Sequence, residues 1–315
     1  MTPPEVITMG RVSVDLYPEQ IGVTLAQVRS FAKSLGGSPT NVAVAAARLG
    51  RRSAVITKVG SDGFGDYVRQ ALEGFGVSAG WVGTDPVLRT PIVFCEVHPP
   101  DYFPLLFYRE PQAPDMRLEP GDFDAASVAA APLFWTSGTG LSGEPSRSTT
   151  LGAMRSRRGP ITVHDLDFRP GLWKPDDDPR RWAREAAAMA TVVVGNLEEV
   201  EMATGSRDPD RAAADLMELG PELVIVKQGP RGVFARRGRE TALVPPIPVE
   251  VICGLGAGDA FGGALCHGLL AGWELDRLIR FANAAGAIVA SRLACADAMP
   301  EDREVEALLA AQTHV

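Results

Sequence analysis

The sequence predicts a doubly wound α/β fold in a single domain over residues 1–315, and three observations carry that prediction. Four short apolar runs recur along the chain: Leu133–Thr136, Ile161–His164, Thr191–Val194 and Leu223–Val226. Unbroken Val, Ile and Leu runs mark strands covered on both faces, as in a mostly parallel sheet. Helix-like stretches alternate with strand-like ones, and glycine-bearing or polar turns follow the strands, where open α/β sheets hold ligands.

Val6–Met9 reads as a first buried strand, and Val12–Asp15 alternates and ends in an acid. Asn41–Leu49, rich in Ala and Val, reads as a helix closed by Gly50. Ser53–Val59 reads as the next strand and Gly65–Gly74 as the next helix. A helix over Arg180–Met189 precedes the strand at Thr191, with the acidic run Asp176–Asp178 capping it. Ala260–Leu270 is a further helix-like run. The rhythm breaks at Thr90–Glu96 and Pro104–Arg109, two strand-like pieces joined across His98–Tyr102. They predict an antiparallel hairpin inserted into the α/β pattern. Beside a pocket, such an insertion is a candidate lid, here about residues 12–30 and 89–113. The alternative is a surface hairpin with no task.

Composition sets the class. Of 315 residues, 45% are hydrophobic and 22% charged, as in ordinary globular proteins. A formal net charge of -8 argues against nucleic acid as a partner, which calls for a basic footprint. No apolar run reaches 18 residues, so no membrane span is expected. Met1–Glu5 lacks the basic and apolar regions of a signal peptide. Cys95, Cys253, Cys266 and Cys295 are scattered, without a CxxC pair, and predict neither a disulfide framework nor a zinc site. A reduced cytoplasmic enzyme is the expectation.

The chemistry concentrates in Gly254-Leu-Gly-Ala-Gly-Asp-Ala-Phe-Gly262. Bare backbone at Gly254, Gly256 and Gly258 lets a phosphate approach, and a following helix start favours its charge. An acid at the same turn would repel that phosphate. Asp259 makes sense facing a hydroxyl that attacks a phosphoryl group. Gly36-Gly-Ser-Pro-Thr-Asn41 precedes the first long helix. Gly36 and Gly37 allow close ligand approach, and Asn41 offers donors and acceptors to sugar hydroxyls. The plain alternative is a loop with Ser38 or Thr40 as helix cap. Lys58-Val-Gly-Ser-Asp62 and Asp165-Leu-Asp-Phe-Arg169 follow strands, and Arg169 offers a fork for phosphate or carboxylate. Asn196-Leu-Glu-Glu199 reads either as a capping box or as a pair holding water around Mg²⁺. Lys227-Gln-Gly-Pro-Arg-Gly232 suits a nucleotide turn, with Lys227 as a charge for polyphosphate. No Gly-Lys dipeptide occurs, which excludes a Walker P-loop.

In this order and at these strand ends, the motifs resemble the PfkB family of carbohydrate kinases, with its ribokinase-like three-layer fold, over nearly the whole chain. Gly36-Gly-x-x-x-Asn41, Asn196-x-x-Glu199 and Gly256-Ala-Gly-Asp259 carry the resemblance. Leu35–Val44, Phe107–Asp115, Leu166–Pro170 and Val194–Glu199 are most similar to the sugar-acid kinases of myo-inositol catabolism. The resemblance implies an ATP- and Mg²⁺-dependent enzyme. Asp259 would be the catalytic base, with Gly256, Ala257 and Gly258 as its anion hole. Asp15, Gly36, Gly37 and Asn41 would bind substrate hydroxyls, and Tyr108 and Arg109 the far end of a sugar acid, Arg109 its carboxylate. Arg169 would sit near the transferred phosphate. Asn196, Lys227, Gly229, Gly232 and Asn283 would line the nucleotide pocket, and Glu199 would reach Mg²⁺ through water. A homodimer through the lid is implied too. Many members carry Asp-Thr-x before Gly-Ala-Gly-Asp. Cys253-Gly-Leu255 stands there instead, which argues against activation by K⁺.

Two rivals fit part of the pattern. A nicotinamide-dependent oxidoreductase shares the glycine spacing but needs it in an early βαβ unit followed by a second strand. Trp273–Ile279 does not read as one. A catalytically silent sugar sensor on the same fold would have no use for Asp259 beside an anion hole.

Overall fold

The computed structural model describes residues 2–312. Its strands are β1 (Val6–Met9), β2 (Ser13–Pro18), β3 (Phe31–Gly36), β4 (Ser53–Gly60), β5 (Val82–Asp85), β6 (Ile92–Cys95), β7 (Leu105–Tyr108), β8 (Leu133–Ser137), β9 (Ile161–Asp165), β10 (Val192–Asn196), β11 (Leu223–Lys227), β12 (Val233–Arg237) and β13 (Glu240–Val244). Its α-helices are α1 (Ser38–Arg48), α2 (Gly63–Gly74), α3 (Ala125–Ala130), α4 (Ser146–Arg155), α5 (Pro179–Ala187), α6 (Leu197–Thr204), α7 (Pro209–Met217), α8 (Ala257–Leu270), α9 (Leu275–Ala290) and α10 (Asp302–Gln312). Among the described residues, no helix is long and apolar enough to cross a membrane.

The main sheet has nine strands in the order β13-β12-β11-β10-β9-β8-β1-β4-β5. From β11 to β5 all neighbours are parallel, while β12 and β13 close the edge antiparallel. Successive residues of its central strands belong to two different cores. Val6, Trp135 and Ile225 join the core that holds α1, α8 and α9. Ile7, Phe134 and Val224 join the core that holds α4 to α7. Period-two side-chain alternation with both faces apolar is what a helix–sheet–helix sandwich requires. The expected strands therefore form, each ending within two or three residues of its expected position.

The helix starts shift. α1 begins at Ser38 rather than Asn41, because Gly37 takes the N-cap position with φ 100°. A Cβ on Gly37 would stand 2.4 Å from the Arg11 carbonyl oxygen, so this turn admits only glycine. Asp178 caps α5 by accepting from the Arg181 N–H, as the acidic run predicts. The stretch after the glycine loop, 275–290, is helical and packs on α8, so no second strand follows that loop.

A second sheet, β3-β2-β6-β7, stands apart from the first. β6 and β7 form the expected antiparallel hairpin, but β2 joins it in parallel and β3 completes it. β3 lies just beyond the 12–30 segment assigned to the lid. Along β7, Leu105 and Phe107 are half-buried while Leu106 and Tyr108 are exposed, so the two pairs point to opposite faces.

Candidate active site

The C-terminal ends of the parallel strands and the N-termini of α1 and α8 open into one cleft of about 820 Å³. This is where a doubly wound sheet leaves room for a ligand. β1 leads to Arg11, β9 to Asp165, Asp167 and Arg169, β10 to Asn196, and β11 to Lys227, and all of them line the cleft. Asp15, Gly37, Ser38 and Asn41 line it from the small-sheet side, with Pro100, Asp101 and Leu105. Glu199, Gly229, Gly232, Gly256, Ala257, Gly258, Asp259 and Asn283 complete the wall among the residues expected there.

At the centre lies Asp259, the third residue of α8. Gly256 caps that helix in the left-handed region at φ 81°, and a Cβ there would stand 2.8 Å from the Cys295 sulfur. The loop thus stays bare, and the one long bond there, from the Ala257 N–H to the Gly254 carbonyl at 3.4 Å, leaves the helix start open to an anion. Asn41 Nδ2 donates to Asp259 Oδ2 at 2.8 Å, and Ser38 also hydrogen-bonds to this carboxyl. Burial raises the Asp259 pKa above the ordinary carboxylate value, and the Asn41 and Ser38 bonds oppose that rise. The result is a carboxyl held in one orientation at a helix N-terminus.

Asp15 is buried, with Ser13 Oγ donating to it at 2.6 Å. Burial pushes its pKa up to about 6. Gly36 is opposite, and a Cβ on it would stand 2.1 Å from the Asp15 carboxyl carbon. Gly36 therefore makes room for Asp15 and does not itself line the cleft. Asp165 is raised by burial, with the Glu199 and Asp167 carboxylates adding to the rise and Lys227 opposing it. Lys227 Nζ lies 3.9 Å from Asp165 Oδ1. Arg169 lies 3.3 Å from Asp167 and 3.9 Å from Glu199. Asp167 itself sits at φ 28°, a costly backbone for a residue with a side chain, and Thr139 Oγ1 holds its carboxyl at 2.9 Å.

Asn196 and Glu199 form the capping box of α6. Asn196 Oδ1 accepts from the N–H groups of Glu198 and Glu199, and Glu199 Oε2 accepts from the Asn196 N–H at 2.7 Å. Both also line the cleft, so the capping and ligand readings coexist at one pair. Asn283 Nδ2 donates to the Pro245 carbonyl at 2.9 Å.

The profile of the pfkB family carbohydrate kinases matches residues 4–302. The chain belongs to that family. It is 36% identical to the 5-dehydro-2-deoxygluconokinase of Photobacterium profundum, over 95% of this chain and 92% of that one. It is 32% identical to the 5-dehydro-2-deoxygluconokinase of Shouchella clausii, over 98% and 96%. Among solved structures, the fructokinase of Xylella fastidiosa with bound ATP superposes with a TM-score of 0.87, at 26% identity over 98% of this chain and 99% of that one. The Vibrio cholerae O395 fructokinase in its fructose, ADP and calcium ion bound form gives 0.86, at 27% identity over 97% and 99%. The ribokinase-like architecture expected from the motifs is therefore the architecture present.

Within this pfkB kinase, two residues expected at the substrate do not line the cleft. Arg109 does not line the cleft. It pairs with Asp115 at 2.5 Å, and both side chains are buried. Asp115 Oδ2 also accepts from the Val12 N–H at 2.9 Å, so the pair clamps the backbone beside Arg11. Tyr108 also stays outside the cleft, because the β7 alternation turns it outward against Phe94. Lys58 and Asp62 likewise serve the fold. Lys58 pairs with Asp122 at 2.7 Å, and Asp62 caps α2.

Arg11 is the residue the motif reading passed over. It is 8% exposed, lines the cleft, lies 5.5 Å from the centre of the Phe107 ring, and leaves its Nε buried without a hydrogen-bond partner. An Arg one residue beyond the first buried strand, after Gly10, was the available signal, since that strand end is a ligand position in this architecture.

Proposed function

We propose that this kinase transfers the terminal phosphoryl group of ATP to the terminal hydroxyl of a sugar acid, 5-dehydro-2-deoxy-D-gluconate, giving its 6-phosphate. The carrying observation is Asp259, half-buried at a bare helix N-terminus and oriented by Asn41 and Ser38. That geometry suits a base which holds the attacking hydroxyl and takes its proton while the loop amides of Gly256, Ala257 and Gly258 face the moving phosphoryl group. The names of the two curated relatives support the choice of substrate.

Asp15, Gly37 and the free Oδ1 of Asn41 receive the sugar hydroxyls in this reading, and Arg169 meets the transferred phosphate. Lys227, Gly229, Gly232 and Asn283 border the nucleotide. Among the described residues, no three His, Cys, Asp or Glu side chains converge as a metal cage. Asn196 and the buried Glu199 suit a cation that arrives with the nucleotide and is held through water. Mg²⁺ there would neutralise phosphate charge. Cys253 lies in a buried apolar cluster with Tyr17, Cys95 and Cys295, a poor setting for K⁺. All four cysteines are free and buried, in keeping with a reducing cytoplasm. The outward Leu106 and Tyr108 offer an apolar face on which a second copy would pair lid to lid, a state that sedimentation in dilute solution checks.

A coupled ADP-release screen over keto-deoxy acids, neutral sugars and nucleosides tests the substrate. The expected result is turnover of the keto-deoxy acid at least about tenfold above any neutral sugar, the ratio worth one well-made polar contact. Preference for 2-keto-3-deoxygluconate or fructose would replace it, and absence of ADP release with all of them would favour the silent sensor.

A further inference from the structure

Resting on the sugar-acid reading, we propose that Arg11 is the residue that grips the substrate's carboxylate and sets the preference for acids over neutral sugars. The cleft wall holds six carboxylates, on Asp15, Asp101, Asp165, Asp167, Glu199 and Asp259, and three cations, Arg11, Arg169 and Lys227. An anionic substrate entering so acidic a cleft needs a cation that is not already committed. Arg169 is engaged with Asp167 and Glu199, and Lys227 with Asp165. Arg11 forms no ion pair within 4.0 Å among the described residues, and its buried Nε has no acceptor.

A guanidinium nine-tenths buried, answered only at longer range by Asp15, Asp167 and Asp259 and without a direct partner, is costly to keep. An entering carboxylate satisfies it, because the planar fork matches two carboxylate oxygens and a neutral hydroxyl does not. The position is also rigid. The Arg11 carbonyl accepts from Thr40 Oγ1 at 3.1 Å, and the next residue is clamped by Asp115. Phe107 backs the guanidinium from the same face of β7 that turns Leu105 to the cleft. The other free-standing anion in the reaction is the phosphoryl group, and a different wall receives it. Lys227 lies against the glycine loop, its Nζ 3.4 Å from where a Cβ on Gly258 would stand.

Initial rates with saturating MgATP test the assignment, using 5-dehydro-2-deoxygluconic acid and its primary carboxamide. The amide keeps the hydroxyls and the shape and removes the charge. For Arg11→Gln, kcat/KM on the acid should fall about 100-fold, the scale of losing a buried charge-assisted bond, and on the amide less than about threefold. Arg11→Lys keeps the charge without the fork and should lower the acid-over-amide ratio about tenfold. It reads the same ratio should the Gln variant fail to fold. Equal losses on both substrates, or an unchanged ratio, overturn the assignment. A wild-type enzyme indifferent to acid and amide overturns the sugar-acid reading instead, whatever the variants do.

Discussion

The two ends of the cleft are prepared to different degrees. At the α8 end the working groups are already tied to one another: Asp259 to Asn41, Lys227 to Asp165, and Asn196 to Glu199. At the small-sheet end, Arg11 is buried with its Nε unpaired, while its neighbour Arg109 is consumed by Asp115. The contrast has a physical reason. Phosphoryl transfer is the same operation for any hydroxyl, so its groups profit from being fixed beforehand. Choosing among sugars depends on polar groups that only the right ligand satisfies, so those groups must be left wanting. On this view the α8 end sets the rate and the small-sheet end sets the substrate, and each substitution below should respect that division.

The largest effect is expected at Asp259. Asp259→Asn keeps the Asn41 contact and removes the proton acceptor, so kcat should fall by about 10³-fold, in the range for loss of a general base. The dissociation constant for MgATP should move less than about threefold, because the nucleotide wall is untouched. Single-turnover rates and equilibrium nucleotide binding measure the two. A variant with near-normal kcat removes Asp259 from the mechanism and leaves the contrast between the ends without a basis.

The same contrast shows what the chain declares in advance. Strands such as Leu223–Lys227 were legible because continuous apolar runs have one physical use, burial on both faces. Strands β12 and β13 were not, since Phe234-Ala-Arg-Arg237 and Glu240-Thr-Ala-Leu243 are short mixtures of polar and apolar residues without a clear period and resemble loop. The glycine loop, Asp259 and the Asn196–Glu199 pair were legible as local motifs, because a bare backbone or a capping box is written within a few residues. The place of Arg109 against Asp115, outside the cleft lining, was not legible because its partner is a matter of tertiary packing. The motif shows an Arg beside a Tyr, but not that Asp115 lies buried against it. Arg11 was missed for the converse reason: only the finished fold shows which of several arginines is left unpaired.

Arg109 therefore tests the division from the structural side. Arg109→Met strands Asp115 in a buried position, where loss of one partner of an ion pair costs about 3–5 kcal/mol. Urea unfolding should show that loss at pH 7. Catalytic parameters of the folded fraction should keep their acid-over-amide ratio within about threefold, since Arg109 touches no ligand in this reading. Loss of the ratio with stability intact would return Arg109 to the substrate and weaken the case for Arg11.

The smallest and most conditional effect concerns Asp15. Its pKa in the folded protein is about 6, against 3.8 for an ordinary aspartate, with burial as the main cause. The folded state thus binds a proton more tightly than the unfolded state, and this group's contribution to stability is fully present below pH 3.8. It is lost as pH rises through about 6. Asp15→Asn removes the penalty, so the unliganded variant should be more stable than wild type at pH 8, by about 2–3 kcal/mol from the size of the shift. The gain should shrink to about 0.5 kcal/mol at pH 4 and vanish below about pH 3, where the carboxyl is protonated in both states. Substrate KM should rise over the same comparison, because the carboxylate that strains the empty fold is the one offered to the sugar. A gain independent of pH, or none at pH 8, would show that Asp15 is not held at the expense of stability, and the small-sheet end would then be prepared much as the α8 end is.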